Sequence, residues 1–314
     1  MKTARRKDRH NAPPMHPECA RVIAGHGRHY FIQTPSKEIF EAHRRGKKGD
    51  VVVGDIVHFT EPVSNIVAIE EIEPRRNLLY RSDEWRIKSL AANIDQVAIV
   101  FASRPSFNPW FIWKALLAAH QAKIPAIVIR NKKDLTDEAE IAQEAIDLLR
   151  SIGCEVLEVS ATTDPEATKR TLLPYLENKA TLFVGQSGMG KSSILNVLIP
   201  RAQARTREFS EALNLGKQTT TTARWYRAQE DDWHGEIIDS PGFQEFGLAH
   251  LSLNDILRAM PDIAAHVRHC RFFNCRHLQE PGCGVKAALE AGKIHPDRYA
   301  FYATLAPLAD TKSL

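Results

Sequence analysis

Gly185-Gln186-Ser187-Gly188-Met189-Gly190-Lys191-Ser192 fits the phosphate-loop pattern G-x-x-x-x-G-K-S, and its surroundings fit what that pattern needs. Thr181-Leu182-Phe183-Val184 before it reads as a buried strand. The segment after it reads as an amphipathic helix ending near Pro200. Glycines at 185, 188 and 190 let backbone N–H groups close around a β-phosphate at the positive end of that helix. Lys191 then reaches the β- and γ-phosphates, and the Ser192 hydroxyl ligates Mg²⁺. Gln186, Ser187, Met189 and Ser193 complete the candidate nucleotide-binding stretch.

Outward from the loop, Asp239-Ser240-Pro241-Gly242 follows the apolar run Glu236-Ile237-Ile238 and matches D-x-x-G. Asp239 is expected to hold Mg²⁺ through water, and the Gly242 N–H to sense the γ-phosphate. Between the two motifs lies Gln218-Thr219-Thr220-Thr221-Thr222. One of Thr219, Thr220 and Thr221 is expected to complete the Mg²⁺ shell, the plain alternative being a Thr-rich loop. Upstream, Asn131-Lys132-Lys133-Asp134 matches N-K-x-D, the guanine-reading element. The Asp134 carboxylate can accept from both guanine N1–H and the N2 amino group, which adenine cannot supply. A hydrogen-bonding site left unpaired discriminates by ~10⁴ or more. Ser160-Ala161, after the apolar Val156–Val159, would complete base recognition. In GTPases N-K-x-D normally follows the phosphate loop. Here it precedes it, so the expected fold is a circularly permuted GTPase domain.

The hydrolytic machinery departs from the usual pattern at one place. Many small GTPases carry a glutamine just after D-x-x-G to orient the attacking water, and this chain has Phe243. A phenyl ring neither donates nor accepts a proton, so unaided hydrolysis is expected to be slow. Gln218 is a candidate for the missing role.

The surrounding pattern is α/β. Apolar runs at Gln96–Phe101, Ala126–Arg130, Val156–Val159, Leu182–Val184 and Glu236–Ile238 predict buried parallel strands alternating with helices. One helix starts at Pro109 with Asn108 as its cap, and another spans roughly 137 to 151. A parallel sheet with helices on both faces places ligand loops at the strands' C-terminal ends, where each candidate residue falls.

Two further domains are expected on either side, around a GTPase domain at 76–245. Residues 19–75 carry short β-rich runs at Arg21–Ala24, Tyr30–Gln33, Val51–Val53, Asp55–Phe59 and Asn65–Ile69, which predict an OB-type β-barrel. Its interleaved Arg28, His29, Tyr30 and Phe31, with Arg44, Arg45, Lys47 and Lys48, suit either an RNA-stacking face with a basic rim or barrel core with solvated loops. Pro74 to Ser89 reads as a charged connector. Residues 246–314 read as a helical domain with helices near Leu253–His266, Val285–Ala291 and Pro296–Leu308. Within it, Cys270, Cys275, His277 and Cys283 offer three thiols and an imidazole with no open position, the donor set of one structural Zn²⁺. Cys19 and Cys154 are isolated and read as ordinary. The basic tail 1–18 reads as a flexible solvated end, with nucleic-acid contact as the second reading.

Composition limits the remaining classes. A chain of 314 residues, 43% hydrophobic and 25% charged, suits a globular cytoplasmic protein of two or three domains. No apolar run approaches the ~20 residues of a membrane span, and the N-terminus lacks the apolar core of a secretory signal.

Taken together, the Ala91-Ala92-Asn93-Ile94-Asp95-Gln96 stretch, N-K-K-D, the phosphate loop with Ser193, Thr219–Thr221, D-S-P-G and the Cys/His cluster resemble the RsgA family of bacterial GTPases. The resemblance runs from about residue 19 to 305. It implies an OB domain, a permuted GTPase domain and a zinc domain. It also implies GTP and GDP as substrate and product, Mg²⁺, one structural Zn²⁺, and binding to the 30S ribosomal subunit and its 16S rRNA. Late subunit maturation, slow GTP hydrolysis stimulated by the subunit, and a monomeric state complete the expectation. Relatives often carry His where this chain has Gln218, which leaves that position's role open. The rival readings are a permuted GTPase serving another RNA and a GTP-sensing RNA clamp with little catalysis.

Overall fold

Alternating inward-facing apolar residues build the N-terminal unit in a computed structural model that describes residues 15–44, 50–83, 86–136, 139–200, 202, 223–228, 233–240, 246, 248 and 251–310. Its strands are β1 (Ala20–His26), β2 (His29–Gln33), β3 (Ile39–Arg44), β4 (Ile56–Phe59) and β5 (Ile66–Ile72). They pair in the order β1-β2-β3-β5-β4, and β4 returns to β1 to close the barrel. The β3–β5 pair is parallel and the others antiparallel, as in the OB topology. Val22, Ile32, Phe40, Val57, Phe59 and Ile69 fill the interior.

One expected barrel strand is absent, and one strand of the barrel was not foreseen. Val51–Val53 is no strand, because the Asp55 carboxylate accepts the Val52 N–H at 2.9 Å and Asp55 N–H donates back to the Val52 carbonyl at 3.1 Å. Arg75 clamps the same carboxylate through Nε at 2.7 Å and Nη2 at 2.9 Å. The true third strand, Ile39–Arg44, carries Glu41, Ala42, His43 and Arg44, residues of weak strand propensity, and is held by partners on both sides. The expected connector is largely a hairpin, β6 (Leu78–Asp83) with β7 (Arg86–Ala92), whose Leu79, Leu90, Ala91 and Ala92 are buried.

The second unit is a sheet in which β8 (Gln96–Ala102), β9 (Ala126–Asn131), β10 (Val156–Glu158), β11 (Ala180–Val184) and β13 (Glu236–Asp239) run parallel in the order β10-β9-β8-β11-β13. Strand β12 (Arg224–Arg227) adds antiparallel to β13. Helices α1 (Pro109–Gln121), α2 (Ala139–Ser151), α3 (Pro165–Leu176) and α4 (Lys191–Leu198) contribute their apolar faces to the same core. Asn108 caps α1 by accepting the Trp110 N–H at 2.9 Å.

The third unit contains α5 (Leu253–Arg258), α6 (Pro261–Val267), α7 (Gly284–Glu290) and α8 (Pro296–Leu305). The expected helix Leu253–His266 is two helices, because Pro261 lacks an N–H and forces Met260 out of the helical region, to φ −124 and ψ 71. The last helix stops at Leu305, and a 3-10 turn follows at Leu308–Asp310.

The three units share contacts. Ala24 of β1 pairs with Arg224 of β12, so the barrel and the second unit's sheet form one 11-stranded sheet. Phe301 of α8 meets Trp110 and Trp113 of α1 with ring centroids 5.8 and 5.4 Å apart. Arg298 binds Asp262 through two bonds of 2.8 Å and lies over Trp113. Among the described residues, no helix is long and apolar enough to cross a membrane.

Candidate nucleotide site and metal centre

The phosphate loop leaves β11, every residue of which is buried. It enters α4 through Gly190, whose φ of +88 is left-handed. A side chain at Gly190 would collide with the Asn131 amide, so the loop and N-K-K-D are packed at van der Waals limits. Asn131 ends β9 and is almost fully buried. Its Nδ2 donates to the Met189 carbonyl at 3.1 Å, and its Oδ1 accepts the Ala161 N–H at 3.1 Å. One side chain therefore joins the phosphate loop, the guanine motif and the Ser160-Ala161 element. Lys132 reinforces the junction, with Nζ donating to the carbonyls of Gly188 at 2.8 Å and Arg104 at 2.9 Å.

Base recognition needs an ionised, accessible carboxylate, and Asp134 is exposed. The Ser160 side chain holds its carboxyl below the ordinary aspartate value, and Ser160 Oγ accepts the Asp134 N–H at 3.1 Å. Lys133 is exposed, and its N–H donates to the Val159 carbonyl at 3.1 Å. The strand ends of β9 and β10 thus place Asp134 and Ser160 together, beside the loop.

On the phosphate side, Lys191 is buried and its Nζ donates to the carbonyls of Gly185 at 2.6 Å and Gln186 at 3.2 Å. Burial lowers its affinity for a proton, opposed by the Asp239 charge. Burial likewise pushes the Asp239 carboxyl up to about 6, against the pull of Lys191 and Arg224. Arg224 is cross-strand from Asp239 in the β12–β13 register, a neighbour that sequence reading missed because β12 was not foreseen. Ser192 is exposed and Ser193 half-buried at the start of α4, Ser187 and Gly188 are exposed on the loop, and Gln186 accepts the Asn108 N–H at 2.9 Å. Ser240 donates to the Phe183 carbonyl at 2.7 Å, anchoring the start of D-S-P-G. Gln218, Thr219, Thr220, Thr221, Gly242 and Phe243 lie outside the described residues, as do residues 1–14 of the basic tail and Arg45, Lys47 and Lys48.

The Cys/His cluster does assemble. Cys270 Sγ lies 3.3 Å from His277 Nδ1 and 4.0 Å from Cys283 Sγ, and Cys283 Sγ lies 3.6 Å from His277 Nδ1. With Cys275, all four donor atoms fall within 4.8 Å of one another. The set fits Zn²⁺: the Gly284 N–H points at Cys270 Sγ at 3.2 Å and the Lys286 N–H at Cys283 Sγ at 3.5 Å, contacts that suit metal-bound thiolates. Burial, with the neighbouring thiols, pushes the Cys275 thiol up to about 12, a proton affinity that a bound cation would overcome. Glu280 braces the loop, accepting N–H groups of Arg276 at 2.9 Å, Leu278 at 2.9 Å and Gln279 at 3.1 Å. Tyr299 and Tyr302 donate to the carbonyls of His277 and Arg276 at 2.8 and 2.9 Å, tying the cluster to α8.

Residues 72–249 match the family of the RsgA GTPase. The small ribosomal subunit biogenesis GTPase RsgA of Bordetella pertussis is 47% identical over 281 residues, spanning 90% of this chain and 93% of that protein. The crystal structure of YjeQ from Thermotoga maritima superposes with a TM-score of 0.67 at 26% identity, over 94% of this chain and 99% of that one. That of YloQ, described as a circularly permuted GTPase, has the same fold, with a TM-score of 0.65 at 24% identity over 99% of each chain. The order of strands and motifs and the match along both sequence and fold make this chain a member of the RsgA GTPase family.

Proposed function

We propose that the chain hydrolyses GTP in the biogenesis of the small ribosomal subunit, with hydrolysis stimulated by the 30S subunit and coupled to release from it. The observation that carries the nucleotide side of this reading is Asn131, which ties the exposed Asp134 and Ser160 to the phosphate loop in one rigid unit. On GTP binding, the Lys191 ammonium would exchange the Gly185 and Gln186 carbonyls for phosphate oxygens, which repay its burial. Ser192 and Asp239 would hold Mg²⁺, which supplies charge neutralisation at the phosphate oxygens. Gly242 and one of Thr219–Thr221 would respond to the γ-phosphate, and Phe243 leaves the chain without a water-orienting glutamine at that position.

The ribosomal side rests on the name of the B. pertussis relative and on two RNA-compatible surfaces. One is the barrel. The other is the loop between Cys270 and Cys275, where Phe273 is fully exposed and the Arg271 guanidinium lies 5.4 Å from the Phe272 ring. An exposed aromatic beside a cation is the side-chain pair on which bases stack. The zinc cluster would hold that loop in shape. We assign the protein to the cytoplasm on the ribosomal role, and take it to act as a monomer.

Turnover of GTP and ATP by the full-length chain, with and without purified 30S subunits, tests the reading. GTP should be preferred by orders of magnitude, and subunits should raise the slow basal rate at least tenfold. Equal affinity for ATP would remove the guanine site. Subunit binding without stimulation would replace the enzyme by a GTP-sensing clamp.

A further inference from the structure

Cys19 stands apart from the other cysteines in the sequence, yet the fold gives it two metal-donor neighbours. It lies one residue before β1. His58 belongs to β4, which closes the barrel by pairing with the start of β1 at Ala20↔Val57 and Arg21↔Ile56. Glu73 follows β5, which pairs with β4 at Val57↔Ile72 and His58↔Glu71. The Glu73 N–H also donates to the Ile56 carbonyl at 2.9 Å, which fixes its backbone at the same seam.

The three donor atoms form a tight triangle. Cys19 Sγ is 3.7 Å from His58 Nε2 and 3.5 Å from Glu73 Oε1, and His58 Nε2 is 3.4 Å from Glu73 Oε1. Around a tetrahedral ion with bonds of about 2.0–2.3 Å, donor-to-donor edges are roughly 3.3–3.6 Å. Cys19 Sγ also lies 3.4 Å from His58 Nδ1, so a turn of the imidazole that aims Nε2 at the centre of the triangle completes a three-donor site for one ion.

We propose that Cys19, His58 and Glu73 form a second transition-metal site, of the Zn²⁺ class, that clips the closing seam of the barrel. The donor set selects the ion. Mg²⁺ and Ca²⁺ take oxygen ligands, whereas one thiolate, one imidazole and one carboxylate suit Zn²⁺ and its soft neighbours. Water occupies the fourth position, because Cys19 and His58 are half-buried and Glu73 is exposed. On binding, the Cys19 thiol releases its proton to solvent and the thiolate bonds to the ion, so uptake frees a proton. Three ligands and an open position make the ion more exchangeable than one held by the C-terminal cluster. The clip joins positions 39 and 54 residues apart in sequence, across a seam that is only two residue pairs long. An ion there stiffens the barrel where β1 begins, immediately after the basic tail.

Full-length protein, its tightest metal sites first saturated with Zn²⁺, is titrated with Co²⁺ and followed by absorption. Wild type should take up about one further ion per chain, with a near-ultraviolet thiolate-to-cobalt band and the visible bands of tetrahedral cobalt. Cys19→Ser and His58→Gln should abolish both features. Glu73→Gln, at an exposed position that leaves folding intact, should weaken uptake about tenfold. Cys154→Ser should behave as wild type. Circular dichroism confirms that each variant is folded. A wild type without the thiolate band, or a Cys19→Ser variant with an unchanged spectrum, overturns the site.

Discussion

Asn131 shows how much one amide can organise. It is the first residue of the guanine motif, yet its hydrogen bonds go to protein, to the Met189 and Gly190 carbonyls and the Ala161 N–H. Asn131→Ala leaves two buried groups unpaired, at about 1–3 kcal/mol each. GTP and GDP should then both bind at least tenfold more weakly, whereas Asp134→Asn should change base choice toward xanthine and largely spare phosphate affinity. Titration with guanine and xanthine nucleotides separates the two, and an Asn131→Ala variant that binds GTP normally would show the bridge to be idle. Glu280 plays a similar part at the metal centre. Burial alone would raise its carboxyl, but the backbone N–H groups of Arg276, Glu280, Leu278 and Gln279 win and hold it at about 2. A depressed carboxyl stabilises the fold fully above the unfolded value of about 4.3, and that contribution fades as pH falls toward the folded value. Glu280→Gln should therefore lower stability to urea at pH 7, and the gap from wild type should narrow by pH 4. The motif residues were legible in sequence because phosphate, guanine and zinc chemistry demand fixed side chains at fixed spacing. Glu280 and the partners of Cys19 were not, because only the path of the backbone brings them to their sites.

Elements were legible where their pattern was local and misread where partners decided it. The five parallel strands stood out as apolar runs, and α1 carried its cap and proline in sequence. Strand β3 was hidden by Glu41, His43 and Arg44, while three valines at 51–53 promised a strand that the Asp55 carboxylate turned into a loop. Strand β12 also escaped notice, although it is the hinge of the architecture. It lies between the threonine run and D-S-P-G in the chain, pairs with β13 at Arg224↔Asp239, and carries Ala24 of the barrel on its other side. The Arg21 guanidinium sits 4.4 Å from the Trp225 ring, and Asn93 Nδ2 donates to the Gly54 carbonyl at 2.9 Å across the same junction. Gly54, at φ +95, has no room for a Cβ against the Ala92 carbonyl. Gly54→Ala should cost about 2 kcal/mol or more through strain and the lost close approach. Its thermal unfolding should split into separate barrel and GTPase transitions, while GTP affinity stays within about threefold of wild type. A single transition at the wild-type temperature would mean that the junction does not hold the two units together.

At the scale of the molecule, permutation decides where the nucleotide signal can go. The chain leaves β13 at Asp239, passes D-S-P-G, and reaches Phe246, whose ring packs 5.4 Å from Phe111 of α1. Helix α1 carries Trp110 and Trp113 against Phe301 of α8, and α8 holds the Cys/His loop through Tyr299 and Tyr302. A series of packed aromatic side chains thus runs from Phe246, seven residues past Asp239, to the Cys/His cluster, a contiguous path of the kind that can carry coupling between sites. Trp110 is half-buried in the α1–α8 contact. Trp110→Ala should leave zinc content and GTP affinity near wild type, because it touches neither site. If the path carries the signal, the preference of 30S subunits for the GTP-analogue form over the GDP form should fall about fivefold or more, the size of a typical coupling free energy. Trp110→Phe, which keeps a ring against Phe301, should restore most of it. The two dissociation constants, measured for each variant, give the coupling directly. An unchanged ratio in Trp110→Ala would place the coupling elsewhere, with the β12–barrel junction, which links Asp239 to Ala24 through Arg224, as the next candidate among the described residues.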